Sequence, residues 1–324
     1  MYTIFERNPI RELPDKTVCK VYPFHISLEG LETRILCRED EDYDVFVKII
    51  CICCHRKNTI LVIYSVVSNH AHCVVLAPSQ EYADNCGREI KRMFSMYFSN
   101  KYQDRSIMKG ISAKALLIDT DWYLRNALAY DVRNAMDNGA KSIETYKWTG
   151  FRAMFHEGKL KANDSLYRKV RLLTKREKRS IMRTNDALYD VEWIINGDNE
   201  LEPISTCDYR YLERAFLNDQ SFFMKTIGSV NTPEMAQKLV YAPRVKNTDN
   251  ELLRSVEEIS ERWFSKKVHE LTQEKKARLI RYVGHSFRSD SAQLARVFEM
   301  EREQIRHLLN ISARRARSNQ NGDT

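Results

Sequence analysis

Two apolar runs separated by a short polar break constrain the fold of this chain more than any other feature. They read NTILVIYSVV and HAHCVVLAP, with Ser68-Asn69 between them. Val, Ile and Tyr favour strands, and a short polar break between two such runs is typical of a turn. We therefore predict a pair of neighbouring strands here, with two histidines at the start of the second one.

The segments around this strand pair predict an α+β unit. VCKVYPFHISLEG has strand character, and EDEDYDVFVKIICICCH has apolar residues at helical spacing after an acidic first turn. A basic amphipathic helix is predicted over 82–102. Another is predicted over 120–137, capped by Asp119 or Thr120 and stopped by Asn138-Gly139. The order strand, helix, strand, strand, helix, helix favours an antiparallel sheet covered by helices over a doubly wound parallel fold.

The second half of the chain is predicted to be mostly helical. LYRKVRLLTKREKRSIMRTND has the composition of a basic helix, NGDNELEP of a turn, and STCDYRYLERAFLNDQSFFMKTIG of a helical hairpin. Thr232-Pro233-Glu234 predicts a helix start. We predict three units: residues 1–157, an α+β domain; 158–270, a mostly helical accessory region; and 271–324, a helix-turn-helix domain with a basic tail.

The helix-turn-helix prediction depends on the segment LARVFEMEREQIRHLL. Ala295 stands where this motif needs a small residue, and Ile305 is spaced to pack the second helix back on the first. The second helix would then present Arg302, Gln304 and Arg306 to DNA. Glu299 occupies the turn position where Gly is common, and an ordinary helical hairpin is the alternative.

Composition narrows the kind of partner and the compartment. The chain has 324 residues, a formal net charge of +8 and eight cysteines. An excess of positive charge favours a polyanionic partner, nucleic acid before an anionic membrane. No apolar run approaches the ~18 residues of a membrane helix, and the amino terminus lacks the apolar stretch of a signal peptide. We therefore expect a cytoplasmic protein with no membrane partner, whose cysteines are mostly thiols.

The cluster CICCH invites a comparison with zinc sites. Cys51, Cys53, Cys54 and His55 are close together in sequence, whereas structural zinc sites normally use two spaced pairs of ligands. No second pair is nearby, so buried thiols at the end of a helix are the favoured interpretation.

The histidine pair could bind a metal ion. In a strand, His70 and His72 point to the same face and can place two imidazoles on one cation. The alternative is that they are satisfied polar residues at the end of a sheet. A divalent cation needs more ligands, and the helix 120–137 contains Tyr130 and Asn134, neighbours on one helical face. An amide oxygen is an acceptable ligand for Mg²⁺ or Mn²⁺, although a lone tyrosine on a helix is usually a core residue.

Three segments together resemble a known enzyme family. EDEDYDVFVKII followed by ILVIYSVVSNHAHCVVLAP, the helix EIKRMFSMYFSNKY, and LLIDTDWYLRNALAYDVRNAMDNGA continued by YKWTGFRAMF follow one another in this order. The order and spacing resemble those of the REP-associated and insertion-sequence-type transposases of the single-tyrosine HUH class, over roughly residues 18–155. The chain has Ser68-Asn69 where the family often has Pro-Asn, and Asn134-Ala135 where it usually has Asn-Pro.

The resemblance implies a ferredoxin-like HUH catalytic domain over 1–157 and a role for each matching residue. Tyr130 takes the place of the nucleophile, and His70, His72 and Asn134 take the places of the ligands of Mg²⁺ or Mn²⁺. The implied function is cleavage and rejoining of single-stranded DNA with hairpin structure, through a 5′-phosphotyrosine, by a nucleoid-associated protein that could be oligomeric. Two alternatives stay open: a non-catalytic DNA-binding regulator derived from such a transposase, and a replication initiator or relaxase-type nickase.

The helix 82–102 adds a possible single-strand surface. It contains Lys91, Arg92, Tyr97 and Lys101, and mixtures of cations and rings suit single strands because cations follow the backbone and rings stack on bases. A solvated amphipathic helix with an ordinary core face explains the same pattern equally well.

Overall fold

The computed structural model describes residues 5–29, 34–104, 112–137, 140, 142–143, 145–155, 166–229, 248–287 and 289–309. The first half contains β1 (Ile10–Glu12), β2 (Val18–Lys20), β3 (Tyr22–Glu29), α1 (Asp40–Arg56), β4 (Ile60–Val66), β5 (Ala71–Ala77), α2 (Gln80–Tyr102), β6 (Ser112–Leu117) and α3 (Asp121–Asp137). The predicted α+β class with an antiparallel sheet is confirmed. The predicted helix stop at Asn138-Gly139 lies outside the described residues.

The second half consists of short elements followed by longer helices. They are β7 (Arg168–Lys169), α4 (Lys175–Ile181), β8 (Ile194–Ile195), α5 (Pro203–Thr206), α6 (Tyr209–Ala215), α7 (Gln220–Ser229), α8 (Asp249–Phe264), α9 (Gln273–Ser286) and α10 (Ser291–Phe298). Residues 302–309 are also helical. Short 3-10 helices cover Gly150–Ala153, Val170–Leu172 and Val268–Glu270. The helix start predicted at Thr232-Pro233-Glu234 lies outside the described residues.

Four strands form the main sheet in the order β4-β5-β3-β6, each antiparallel to its neighbours. The strand pair predicted on either side of Ser68-Asn69 is β4 and β5. Strand β5 is buried along its whole length because it lies inside the sheet and is covered on both faces. The register pairs Ser27 of β3 with both His72 of β5 and Lys114 of β6.

Helices cover the two faces of this sheet and make two separate cores. Helices α1 and α2 pack on the face formed by Phe24, Ile26, Cys73 and Val75. Helix α3, together with α6 and α7, packs on the opposite face, where Val74 projects. Because side chains alternate along a strand, His72 projects toward α3 like Val74. We call this side of the sheet the α3 face.

Two predictions about secondary structure are wrong. No strand is predicted between the second and third helices, yet β6 (SAKALL) pairs with β3 along its whole length. Its Ala, Lys and Leu residues carry no strand signal, so only pairing with β3 identifies it. The basic stretch 166–186 was predicted to be one helix, but α4 spans only Lys175–Ile181. A capping box between Thr174 and Glu177 begins this helix, and Arg183 has a positive φ of 54° shortly after its end.

Residues 166–229 complete both cores of the sheet domain. Val170, Met182, Trp193 and Ile195 join the core under α1 and α2, and residues from Tyr211 to Ile227 join the core under α3. Within the predicted accessory region, the described residues from 166 to 229 therefore contribute to the packing on the sheet.

The carboxyl-terminal helices share a third core. Leu252 and Val256 of α8 pack with residues of α9, of α10 and of the helical segment 302–309. As predicted, Ala295 and Ile305 are fully buried between the last two helices. Glu299 adopts a left-handed conformation (φ 52°, ψ 47°) in the turn between them, the position where Gly is common. We call residues 249–309 the C-terminal helical domain.

Within the described residues, no helix is both long enough and apolar enough to cross a membrane.

Candidate active site

The two histidines of the strand pair lie side by side on the α3 face. His70 directly precedes β5, and His72 is the second residue of that strand. Their ring centroids are 4.8 Å apart, with the ring planes at 83°. The sequence prediction that they share a face therefore agrees with their arrangement.

Helix α3 brings Tyr130 and Asn134 to these histidines. The ring of Tyr130 packs edge-on against His72, with centroids 5.2 Å apart and the planes at 78°. The side-chain nitrogen Nδ2 of Asn134 lies 2.9 Å from Nε2 of His70, and its oxygen Oδ1 lies 3.3 Å from the same atom. Asn134 is buried, with 3% of its surface exposed. Contacts between neighbours thus connect all four residues predicted for the reaction centre, in the order Tyr130, His72, His70 and Asn134.

A hydrogen bond that His70 donates to the preceding residue defines which of its ring nitrogens is available to a ligand. Nδ1 of His70 is 2.8 Å from Oδ1 of Asn69. An amide oxygen can only accept, so Nδ1 carries the proton and Nε2 carries the lone pair. This lone pair faces Asn134, and a carbonyl that fixes the tautomer in this way is typical of metal-binding histidines.

The structure adds His25 and Asp131, which the sequence analysis missed. Nε2 of His25 is 3.1 Å from Oδ1 of Asp131, and the ring of His25 stacks on that of His72 with centroids 5.2 Å apart. His25, His72 and Asp131 each offer a ligand atom, all within 4.8 Å of one another. The sequence contained part of the information needed to find His25, because His25 and Ser27 lie on the same face of a predicted strand. What it lacked was the pairing of that strand with the one that carries His72.

The donor set fits a divalent cation. Nδ1 of His72 and Oδ2 of Asp131 are buried and have no hydrogen-bond partner. Buried polar atoms normally have partners, so these two atoms are available as ligands to a cation. Imidazole nitrogens with amide or carboxylate oxygens suit Mn²⁺, and Mg²⁺ prefers the oxygens.

Burial shapes the charge of this cluster. The pKa of His72 lies well below its ordinary value because the ring is buried, and His70 and His25 lower it further. His72 is therefore neutral at pH 7, the form that binds metal ions. Burial also raises the pKa of Asp131, and the neighbouring His25 opposes this shift.

The basic helix α2 lies on the other face of the sheet from this cluster. Lys101 there forms ion pairs with Glu39, Glu41 and Asp42, and the hydroxyl of Tyr97 donates to Asp42 at 2.7 Å. Arg92 is exposed and pairs with Glu89 at 2.7 Å, and Lys91 is half-buried. Lys101 and Tyr97 thus contact the acidic start of α1. Single-strand binding by this helix stays a prediction.

The predicted DNA-reading residues lie in the last helical segment. Gln304 and Arg306 are exposed, and Arg302 is half-exposed, with Nε 3.3 Å from the hydroxyl of Ser291. Arg306 also pairs with the exposed Glu303. This surface belongs to the C-terminal helical domain, separate from the histidine cluster.

The thiols of the CICCH segment are buried. Cys51, Cys53 and Cys54 belong to the core under α1 and α2, and Sγ of Cys54 is 3.8 Å from Sγ of Cys86. His55 bonds to Asp190, with Nε2 and Oδ2 3.0 Å apart. These contacts agree with the interpretation as core thiols at the end of a helix.

Comparisons with protein-family models, with curated proteins and with solved structures found no match. The functional interpretation therefore depends on the geometry of the cluster itself.

Proposed function

We propose that this chain is a metal-dependent DNA transposase of the single-tyrosine HUH type. It would cleave and rejoin single-stranded DNA through a covalent 5′-phosphotyrosine. The observation that carries the proposal is the convergence of Tyr130, His70, His72 and Asn134 on the α3 face. The two histidines come from the start of β5 and the other two residues from α3, which is distant in sequence, and this convergence supports the proposal.

Each residue would have a distinct role in the reaction. The hydroxyl of Tyr130 would lose its proton as its oxygen attacks the scissile phosphorus, and the bond from phosphorus to the 3′ oxygen would break. The departing oxygen would take up a proton and become the free 3′ hydroxyl. A free tyrosine has a pKa of about 10 and is a weak nucleophile, so close placement matters. A divalent cation, Mg²⁺ or Mn²⁺, held by His70, His72 and Asn134 would supply positive charge beside the phosphate.

The remaining side chains of the cluster would support this arrangement. Asn69 fixes the tautomer of His70, and His25 packs against His72 while Asp131 orients His25. Rigid placement of this kind limits the loss of alignment during the reaction. Rejoining needs no nucleotide cofactor, because the phosphotyrosine keeps the energy of the broken bond.

The topology of the main sheet agrees with a ferredoxin-like HUH domain. From β3 to β6, the chain follows the order strand, helix, strand, strand, helix, strand, with both helices on one face. The free face receives α3, which carries Tyr130. This order supports the proposal without depending on the identity of single residues.

The C-terminal helical domain would hold the DNA near the reaction centre. The net charge of +8 and the exposed Gln304 and Arg306 on the last helical segment suit a double-stranded hairpin stem. We propose single-stranded DNA with hairpin structure as the substrate, for a cytoplasmic, nucleoid-associated protein that could act as an oligomer.

Covalent trapping on DNA tests the proposal. The full chain is incubated with a hairpin-containing single strand and Mn²⁺ or Mg²⁺, then separated by denaturing electrophoresis. A label at the 3′ end should migrate with the protein, whereas a label at the 5′ end should appear on a shorter free strand. Wild-type protein that forms no adduct on any of a panel of hairpin strands, with either ion, would contradict the proposal.

A second candidate function is a DNA-binding regulator, favoured by the buried Ala295 and Ile305 that hold the last two helices together. Such a protein would bind duplex DNA and form no adduct. A replication initiator or relaxase-type nickase would form the adduct but would not transfer the strand to a second DNA end.

A further inference from the structure

The loop before His70 is attached to the C-terminal helical domain. The hydroxyl of Ser68 donates a hydrogen bond to a carboxylate oxygen of Asp249, the first residue of α8. Ser68 and Asp249 are both buried, at 4% and 1% exposure. The carbonyl oxygen of Ser68 accepts from the backbone amides of Leu36 and Cys37, at 2.7 and 2.8 Å. Hydrogen bonds thus fix both the side chain and the backbone carbonyl of Ser68.

Asp249 in turn is held by the first helix of the terminal helix pair. Arg296 of α10 donates to both of its carboxylate oxygens, from Nε at 2.6 Å and from Nη2 at 3.0 Å. This forked geometry is the strongest form of the arginine–carboxylate pair. Because the carboxylate is buried, its position depends on these partners.

The same loop continues directly to the histidine cluster. Asn69 follows Ser68, and its Oδ1 accepts from Nδ1 of His70 at 2.8 Å. Nε2 of His70 then contacts Asn134 of α3. The contacts therefore run without a break from α10 through Asp249 and Ser68 to His70.

We propose that Ser68 and Asp249 are positioning residues that couple the C-terminal helical domain to the orientation of His70. The inference rests on the proposed function only for its effect on DNA cleavage. A shift of α10 when the terminal helices bind DNA would act on Asp249 first, and the bond to Ser68 would transmit it to the loop. The reaction centre would then reach its working geometry only when the C-terminal domain is correctly docked.

A matched pair of variants tests this coupling. Ser68→Ala removes the hydroxyl that reaches Asp249. Tyr43→Phe removes another hydroxyl of the same domain contact, which accepts from Nδ2 of Asn250 at 3.1 Å and does not lead to His70. The full chain is labelled with ¹⁵N-histidine, and the imidazole signals of His70 are identified by their loss in His70→Ala. Binding of Mn²⁺ is measured on the same samples by calorimetry.

We expect Ser68→Ala to shift the His70 signals and to weaken Mn²⁺ binding by about three- to tenfold, the effect of one lost hydrogen bond. Tyr43→Phe should leave the His70 signals and the Mn²⁺ affinity close to those of the wild type. Arg296→Lys, which keeps the charge but loses the fork, should shift the His70 signals in the same direction although it does not touch the cluster. Thermal unfolding of each variant separates this effect from misfolding.

Unchanged His70 signals in both Ser68→Ala and Arg296→Lys would overturn the coupling, as would equal shifts in Tyr43→Phe. These measurements need no DNA cleavage. A wild-type protein that forms no adduct, combined with a selective shift of His70 in Ser68→Ala, would refute the proposed function and keep the coupling.

Discussion

The ring of Tyr130 lies edge-on against the ring of His72, with the planes at 78° and the centroids 5.2 Å apart. The tyrosine that was predicted as nucleophile is therefore adjacent to a buried, neutral imidazole. We expect Tyr130→Phe to keep the fold, because the ring contact remains, and to lower adduct formation by more than about a thousandfold, because the attacking hydroxyl is gone. Denaturing electrophoresis with 3′-labelled DNA measures the adduct.

Tyr123, two helical turns before Tyr130 on α3, provides the control. Tyr123→Phe should form adduct at the wild-type rate. If the adduct persists in Tyr130→Phe and disappears in Tyr123→Phe, the nucleophile is Tyr123.

Cation binding should depend on the three predicted ligands. His70→Ala and His72→Ala should abolish cleavage, and a chelator should silence the wild type. Asn134→Ala should have a milder effect, since Mg²⁺ can retain a water molecule in place of the amide. Cleavage assays over a range of Mg²⁺ and Mn²⁺ concentrations measure this order. Cleavage that is insensitive to the chelator would rule out the metal mechanism.

Variants of Asp131 and His25 distinguish two possible sites for the cation. In the proposed site, both residues support the ligands without binding the ion. Asp131→Asn and His25→Ala should then each weaken Mn²⁺ binding by about 10–100-fold without abolishing it. Calorimetric titration gives these affinities. The reverse pattern, with binding lost in Asp131→Asn and unchanged in Asn134→Ala, would place the ion among His25, His72 and Asp131.

Lys101 should matter for stability. Burial opposes the ionisation of Asp42, but hydrogen bonds from Lys101, Tyr102 and Tyr97 outweigh it, and the pKa of Asp42 lies below its ordinary value of 3.8. We expect Lys101→Met to lower the free energy of unfolding by about 2–3 kcal/mol at pH 7, because it removes a charged partner of a buried carboxylate. Urea unfolding measures the difference.

The pH dependence of this difference follows from the direction of the Asp42 shift. A lowered pKa contributes stability that is present above 3.8 and is lost as the pH falls through the folded-state value. The difference in unfolding free energy between wild type and Lys101→Met should therefore become smaller as the pH falls below 3.8. Arg92→Ala breaks an exposed pair and should cost less than about 1 kcal/mol. If Lys101→Met instead keeps full stability and loses affinity for single strands, Lys101 contacts DNA.

The terminal helices should determine which DNA is bound. Arg302→Ala and Arg306→Ala should each reduce the preference for the correct sequence by roughly 1–3 kcal/mol if the contact is bidentate to guanine. Fluorescence anisotropy with matched and scrambled duplexes measures this preference. Arg262→Ala, an exposed cation of α8 outside the helix pair, should leave it unchanged. If each variant instead loses affinity equally for all sequences and its binding depends less on salt, both arginines contact phosphates and not bases.

The sequence was informative where local patterns decide the structure. Strand alternation placed His70 and His72 on one face, and the four-residue spacing on α3 placed Tyr130 beside Asn134. That the two pairs meet was implied only by the resemblance to the single-tyrosine HUH transposases. Burial of Ala295 and Ile305 also followed from local spacing.

What the sequence could not predict depends on contacts between distant segments. His25 became part of the cluster only through the pairing of β3 with β5, and β6 formed only because β3 offered a free edge. Lys101 and Tyr97 had the composition of a DNA-binding surface, but the acidic start of α1 occupies them. The bond between Ser68 and Asp249 connects two domains, and no local pattern encodes it.

The packing of residues 166–229 against both faces of the sheet has a consequence for the synthesis of this protein. All four strands of the main sheet have been translated by Leu117, but Phe223, which closes the core under α3, comes much later. A nascent chain therefore keeps apolar surface of the sheet uncovered until residue 227 has left the ribosome. Because exposed strands and apolar faces promote aggregation, we expect the emerging amino-terminal half to depend on chaperones during translation.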